Sequence, residues 1–142
     1  MPDSKARAYV HFVWATKGRR AIIGSERERE AYPIISGQVT RAGCKVVALN
    51  GTADHVHLLV PFGRNVSFAQ LMNQVKGVAS RFMNDRNAQE GLPEDFLWQP
   101  GYGAFTLGRE QLPAVVAYVR KQKLHHGAEG VSVDDWEDCG ET

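Results

Sequence analysis

The sequence predicts an α+β fold: a four-stranded antiparallel sheet with helices on one face, plus a C-terminal helix that carries a tyrosine. Three observations lead there. Strand-like and helix-like stretches succeed one another in the order β-α-β-β-α-β-α. Residues 67–83 hold the clearest amphipathic helix, with Phe68, Leu71, Met72, Val75, Val78, Ala79, Phe82 and Met83 at helical spacing. A length of 142 residues, 43% of them hydrophobic and 23% charged, suits one domain with a real core.

The first strand is "RAYVHFVWAT" (7–16). Tyr9, His11 and Val13 lie on one face and Val10, Phe12 and Trp14 on the other, so it reads as buried on both sides. "KGRR" follows as a basic turn. Ser25 with Glu28 forms a capping-box pattern that opens a helix to about Arg41, which Pro33 is expected to kink or divide. "CKVVALN" (44–50) reads as a strand, Asn50-Gly51 as a turn, and "HVHLLVP" (55–61) as the partner strand. Ser67 with Gln70 caps the second helix, a polar loop spans 85–95, and a short strand falls around 102–107. The last helix is expected from about Glu110 to His126, ended by Gly127. Two helices on one face of such a sheet make a ferredoxin-like, or RRM-like, sandwich.

Composition bounds function. No apolar stretch approaches the roughly 20 residues of a membrane span, and the charged first twenty residues are not a signal peptide. Two distant cysteines, Cys44 and Cys139, make no disulfide framework, which reads as a reduced, cytoplasmic protein. All 17 lysines and arginines lie at or before Lys123, whereas residues 127–142 carry six acids and no base. That asymmetry suits either a polyanion-binding body, residues 1–130, with an acidic tail at 131–142, or a solvated surface with a frayed end.

The chemistry concentrates in "DHVHLLV" and "AYVRKQKLHH". Strand alternation puts His55 and His57 on the same face, about 6.5–7 Å apart along the strand. So placed they can grip one divalent ion, or be two hydrogen-bonded core histidines. Asp54 is either an orienter of the pair or a turn residue. At about 100° per residue, Tyr118, Gln122 and His125 share one side of the last helix. With the Gln122 carbonyl, the histidines give an N₂O set suited to Mg²⁺ or Mn²⁺, with positions open for a phosphoryl oxygen. Tyr118, one turn from Gln122, could then attack that phosphorus and form a covalent intermediate. The competing reading is a core tyrosine beside a solvated glutamine.

These motifs resemble those of the single-domain HUH tyrosine transposases of the insertion-sequence 200/605 group. "DHVHLLV" is similar to that family's His-hydrophobic-His strand and "AYVRKQKLHH" to its tyrosine helix; "YVHFVWATKGRR", "VKGVASRFMN" and "WQPGYGAF" also resemble its segments. The resemblance covers about residues 8–126. It implies cleavage and rejoining of single-stranded DNA at mobile-element ends through a 5′-phosphotyrosine, with Tyr118 as nucleophile and His55, His57 and Gln122 as metal ligands. It also implies recognition of hairpins near those ends, and a homodimer in which Tyr118 of one chain serves the histidines of the other.

DNA binding needs phosphate contacts and stacking surfaces. Lys17, Arg19, Arg20, Lys76, Arg81, Arg120 and Lys121 are candidates for the first; Trp14, Trp98, Tyr102 and Phe105 are candidates for the second, or for the core. A histidine-triad hydrolase is discounted because Leu59 stands where its third histidine belongs, and a zinc hydrolase lacks an evident base. The non-enzymatic alternative is a domesticated hairpin-binding module of the same fold that does not cut.

Overall fold

A computed structural model describes residues 8–61 and 67–123. The elements are β1 (Ala8–Ala15), a 3₁₀ turn (Lys17–Arg19), α1 (Ser25–Arg41), β2 (Ala48–Gly51), β3 (His55–Pro61), α2 (Phe68–Gln89), β4 (Gly103–Gly108), a second 3₁₀ turn (Arg109–Gln111) and α3 (Leu112–Arg120). The sheet order is β2-β3-β1-β4, with every pairing antiparallel. This is the expected ferredoxin-like connectivity. The last helix, expected from about Glu110 to His126, is α3, which ends at Arg120 with Lys121 as its cap; His126 and the tail at 131–142 lie outside the described residues. No helix among the described residues is long and apolar enough to cross a membrane.

The sheet's two faces do different work. Val10, Phe12, Trp14, Val56, Leu58 and Val60 face α1 and α2, and form the larger core with Ile35, Val39, Met72, Val75 and Phe96. On the other face Ala48, Leu59 and Leu107 pack against Val115 and Val119 of α3. Helices on both faces explain why β1 is apolar on both sides. A helix of nine residues is marginal alone in water, so α3 depends on its buried valines, worth on the order of 2 kcal/mol each.

Four local expectations are corrected. First, α1 is capped by Gly24, with no side-chain cap bond, and Glu28 instead pairs with Lys123 at 2.7 Å. Second, α1 runs undivided through Pro33. Third, β2 starts at Ala48, and Asn50-Gly51 belongs to the strand, because the turn is made by the next three residues. There Thr52 donates to the Asp54 carboxylate at 3.0 Å, and the carbonyls of Ala53 and Asp54 take N–H groups from Ile23 and Thr16, each at 2.9 Å. Fourth, α2 runs on to Gln89 through residues expected to be loop. Arg27 of α1 bonds Glu90 at 2.8 Å and Asn87 at 3.2 Å, and Arg86 bonds Glu30 at 3.3 Å, so ionic contacts hold a turn that apolar spacing does not mark. The Ser67–Gln70 capping box forms as expected, with both reciprocal bonds present (3.0 and 3.3 Å).

Gly51 has no room for a side chain: a Cβ there would overlap the His55 carbonyl oxygen and stand 2.9 Å from the Tyr32 hydroxyl. Gly37, in α1, faces open space. Gly51→Ala is therefore expected to destabilise the fold by about 1–3 kcal/mol, and Gly37→Ala to stabilise it by about 0.5–1 kcal/mol. Urea denaturation of both variants checks the pair of signs; a stable Gly51→Ala protein would contradict the close approach of β2 and β3.

Candidate active site

β3 turns His55 and His57 toward the α3 face, where both are fully buried with ring centroids 4.9 Å apart. Each ring is held at its Nδ1. For His55 the partner is the Asp54 carboxylate at 2.6 Å, with the Thr52 hydroxyl 2.9 Å from the same nitrogen. An ionised carboxylate only accepts, so Nδ1 carries a proton, and in the neutral imidazole the lone pair is then on Nε2. For His57 the partner is Nε2 of His11, at 2.8 Å, with the two rings stacked at 25° and 5.0 Å.

α3 closes the site from above. Tyr118 packs edge-on against His57 and His11, at 5.6 and 6.2 Å between centroids. One turn on, Gln122 is fully buried, donates its amide N–H to the Tyr118 carbonyl at 3.2 Å and points Oε1 at His55 Nε2, also at 3.2 Å. The bond to Tyr118 decides which end of the amide faces the histidine. With the His55 ring neutral, two acceptors are thus brought together, an arrangement that a cation between them would satisfy by taking both as ligands. Among the described residues no group of three or more His, Cys, Asp or Glu gathers as a metal cluster. A third protein ligand would therefore be the neutral Gln122 carbonyl, and the donor set fits a divalent ion of the Mg²⁺ or Mn²⁺ kind.

Around this centre the charges are arranged by sign. Burial works to raise the Asp54 carboxyl, but the bond from His55, the Arg19 guanidinium and the Thr52 hydroxyl outweigh it and hold the group below the ordinary carboxylate value. Arg19 reaches Asp54 at 3.7 Å because Gly18 and Arg19 both take left-handed backbone angles (φ 66° and 55°) that fold the basic turn back. Lys17 is exposed beside it, and Arg20 is loosely paired with Asp95 at 3.6 Å. Arg120 and Lys121 are exposed at the end of α3, next to Gln122.

The remaining candidates lie elsewhere. Arg81 is exposed on α2, in the layer across the sheet from α3. Lys76 turns inward: its ammonium donates to the carbonyls of Gln99 (3.0 Å) and Gly101 (2.8 Å), and burial lowers its pKa, so it ties α2 to the loop before β4. Trp14 is fully buried and Trp98 packs on Phe96 at 4.9 Å. Tyr102 leans on Phe12 at 6.0 Å and Phe105 stands 6.3 Å from His11.

Three residues of the site went unmarked in the sequence. His11 was visible on the Tyr9–Val13 face of β1, but its contact with His57 depends on the β1–β3 register, which sets Val13 opposite His57. Asn50 and Lys123 form a latch under Gln122. Asn50 donates to the Arg120 carbonyl at 3.0 Å, while Lys123 reaches Asn50 Oδ1 (2.7 Å), the Gly51 carbonyl (3.0 Å) and Glu28 (2.7 Å), and lies over the Tyr32 ring at 6.0 Å.

A family model described as "Transposase IS200 like" matches residues 4–122, a stretch that takes in Tyr118 and ends on Gln122. The chain belongs to the IS200-like transposase family. The transposase is 25% identical over 125 residues to the ISDra2 transposase TnpA of Deinococcus radiodurans, covering 83% of this chain and 89% of that one. Its fold is similar to the crystal structure of a candidate transposase from Deinococcus radiodurans R1, with a TM-score of 0.66, 23% identity, and 86% of this chain and 95% of that one covered. It is also similar to a REP-associated tyrosine transposase bound to a REP hairpin, with a TM-score of 0.65, 14% identity, and 100% and 94% covered. As a member of this family the transposase is a DNA-processing enzyme that acts in transposition.

Because Lys123 is half-exposed while its contacts are many, its loss should act locally. Lys123→Met is expected to speed amide exchange at Gln122 and Lys123 in the transposase, at a cost of less than about 1 kcal/mol in global stability. Hydrogen-exchange mass spectrometry resolves the two effects; unchanged exchange there would mean that Asn50 alone holds the turn.

Proposed function

We propose that this transposase cleaves and rejoins single-stranded DNA at the ends of a mobile element, with Tyr118 as nucleophile and Mg²⁺ or Mn²⁺ held by His55, His57 and Gln122. The observation that most supports the reading is that Gln122 and the two histidines are buried together with Tyr118 edge-on against His57, and that the Gln122 carbonyl faces His55 Nε2 at 3.2 Å. When bound, the ion would polarise a phosphoryl oxygen and orient it for in-line attack.

The residues then have separable tasks. The Tyr118 oxygen forms a bond to the scissile phosphorus as the bond from phosphorus to the 3′ oxygen breaks. The tyrosine proton ends on that oxygen, leaving a 5′-phosphotyrosine and a 3′-OH. In the reverse direction a 3′-OH displaces Tyr118 and takes over the phosphodiester, so no outside energy is needed. Asp54 holds His55 with Nε2 toward the site. Arg120 and Lys121, with Lys17, Arg19 and Arg20 across the site, suit the phosphates of the strand on either side of the cut. Arg81 would meet only DNA that wraps beyond this face, and Lys76 belongs to the fold. The hairpin bound by the REP-associated relative supports a hairpin as the element-end substrate here.

The test is a covalent adduct. Single-stranded hairpin oligonucleotides drawn from the DNA flanking the gene are incubated with protein and Mn²⁺ and resolved on a denaturing gel. Wild type is expected to give an adduct. Tyr118→Phe should bind the hairpin normally and give none, and His57→Ala should lose metal-dependent cleavage. An adduct with Tyr118→Phe would remove Tyr118 from its role, and hairpin binding with no wild-type adduct would leave a binding module. Arg120→Ala should weaken binding and lower the salt slope by about 1 if it meets a phosphate.

We further propose a homodimer as the working unit, with α3 of one chain serving the histidines of its partner. Mixing Tyr118→Phe with His57→Ala chains should then restore cleavage. Failure of the mixture to recover, with both variants folded and dimeric, would keep each site within one chain, as α3 packs here.

A further inference from the structure

We infer that His11 is a positioning residue for His57, fixing the tautomer that lets His57 act as a ligand; the inference rests on the metal reading above. A neutral imidazole carries one N–H and one lone pair. The 2.8 Å contact between His11 Nε2 and His57 Nδ1 needs one of each, and it can be made in two ways. If His11 donates, His57 carries its own proton on Nε2 and cannot ligate through that nitrogen, while its Nδ1 is engaged by His11. If His57 donates, its Nε2 bears the lone pair and His11 keeps its proton on Nδ1. Only the second state presents a ligand.

Two further observations point to the same role. The pair is built alike at both histidines: an Asp54 carboxylate oxygen stands 2.6 Å from His55 Nδ1, and His11 Nε2 stands 2.8 Å from His57 Nδ1. His11 is also fixed in place. It is fully buried, stacked on His57 at 25°, with Tyr118 edge-on at 6.2 Å and Phe105 at 6.3 Å. The register supplies the reach, since Val13 stands opposite His57 and His11 is the next residue along β1 on that face. A neutral acceptor suits this position better than a second carboxylate. Asp54 is part-exposed with Arg19 at 3.7 Å, whereas His11 lies against Tyr118, Phe105 and the apolar floor of the sheet, where an ionised acid would be costly to bury.

The measurement that needs no variant is the ¹⁵N NMR spectrum of the metal-free protein at a pH where its imidazoles are neutral. His57 is expected to show a protonated Nδ1 and an unprotonated Nε2; the opposite pattern would overturn the inference. His11→Phe keeps a stacked ring and removes the acceptor. It is expected to shift His57 toward the Nε2–H form and to weaken Mn²⁺ binding by about 10–100-fold, while metal-free hairpin binding is unchanged. His11→Gln, which restores an acceptor, should recover part of the Mn²⁺ affinity. Wild-type Mn²⁺ affinity in a folded His11→Phe protein would overturn the role of His11 alone. Absence of Mn²⁺ binding by wild type would overturn the ligand reading beneath it, and the two failures are separately visible.

Discussion

Two imidazoles and an amide with no solvent exposure impose the constraint around which the rest of the structure is arranged. A buried polar group without a partner costs more than most contacts contribute, so His55, His57 and Gln122 each need partners from inside the fold. Those partners come from three different segments. The turn before β3 supplies Asp54 and Thr52, β1 supplies His11, and α3 supplies the Tyr118 carbonyl. Any slip of β1 against β3, or of α3 along the sheet, breaks several of these bonds at once. Register and helix docking are thereby specified more sharply than apolar packing alone would specify them.

The division of the sheet into two faces follows from the same requirement. On one side two long helices and the larger core carry the stability of the domain. On the other a short helix covers a smaller apolar patch, formed by Ala48, Leu59, Leu107, Val115 and Val119, with the polar cluster beside it. Catalytic elements are better placed on a rigid sheet than on loops, and here the histidines stand on an interior strand, paired on both sides. Under the proposed reading the nucleophile, Tyr118, is carried by this short helix, whose buried residues are Val115 and Val119.

This division also decides what could be read from the chain. The α2 stripe and the two-sided β1 follow from periodicity, and the His55–His57 and Tyr118–Gln122 spacings follow from strand and helix geometry, so these were legible. The path of the β2–β3 turn was not, because the bonds that draw it come from Thr16 and Ile23, thirty or more residues earlier in the chain. The end of α2 was hidden for a similar reason: it is held by Arg27 across the helix pair. His11 was legible as an inward-facing residue but not as a partner of His57. That contact spans 46 residues and exists only once β1 and β3 are aligned. Lys123 reads as one more basic residue in a basic helix until α3 is docked over Asn50 and Glu28.

The charge count at the site argues for the kind of substrate it receives. Under the proposed ligation, all three protein ligands are neutral, and the Asp54 carboxylate already faces His55 and Arg19. A divalent ion held by such a set keeps most of its charge for whatever enters the open positions. Arg19 and Lys17 beside Asp54, with Arg120 and Lys121 next to Gln122, add to the same sign. A site built from aspartates and glutamates would neutralise its ion and repel a polyanion at the entrance. Under that reading two histidines and an amide would leave the attraction for the phosphodiester, with each of them fixed from behind by the fold.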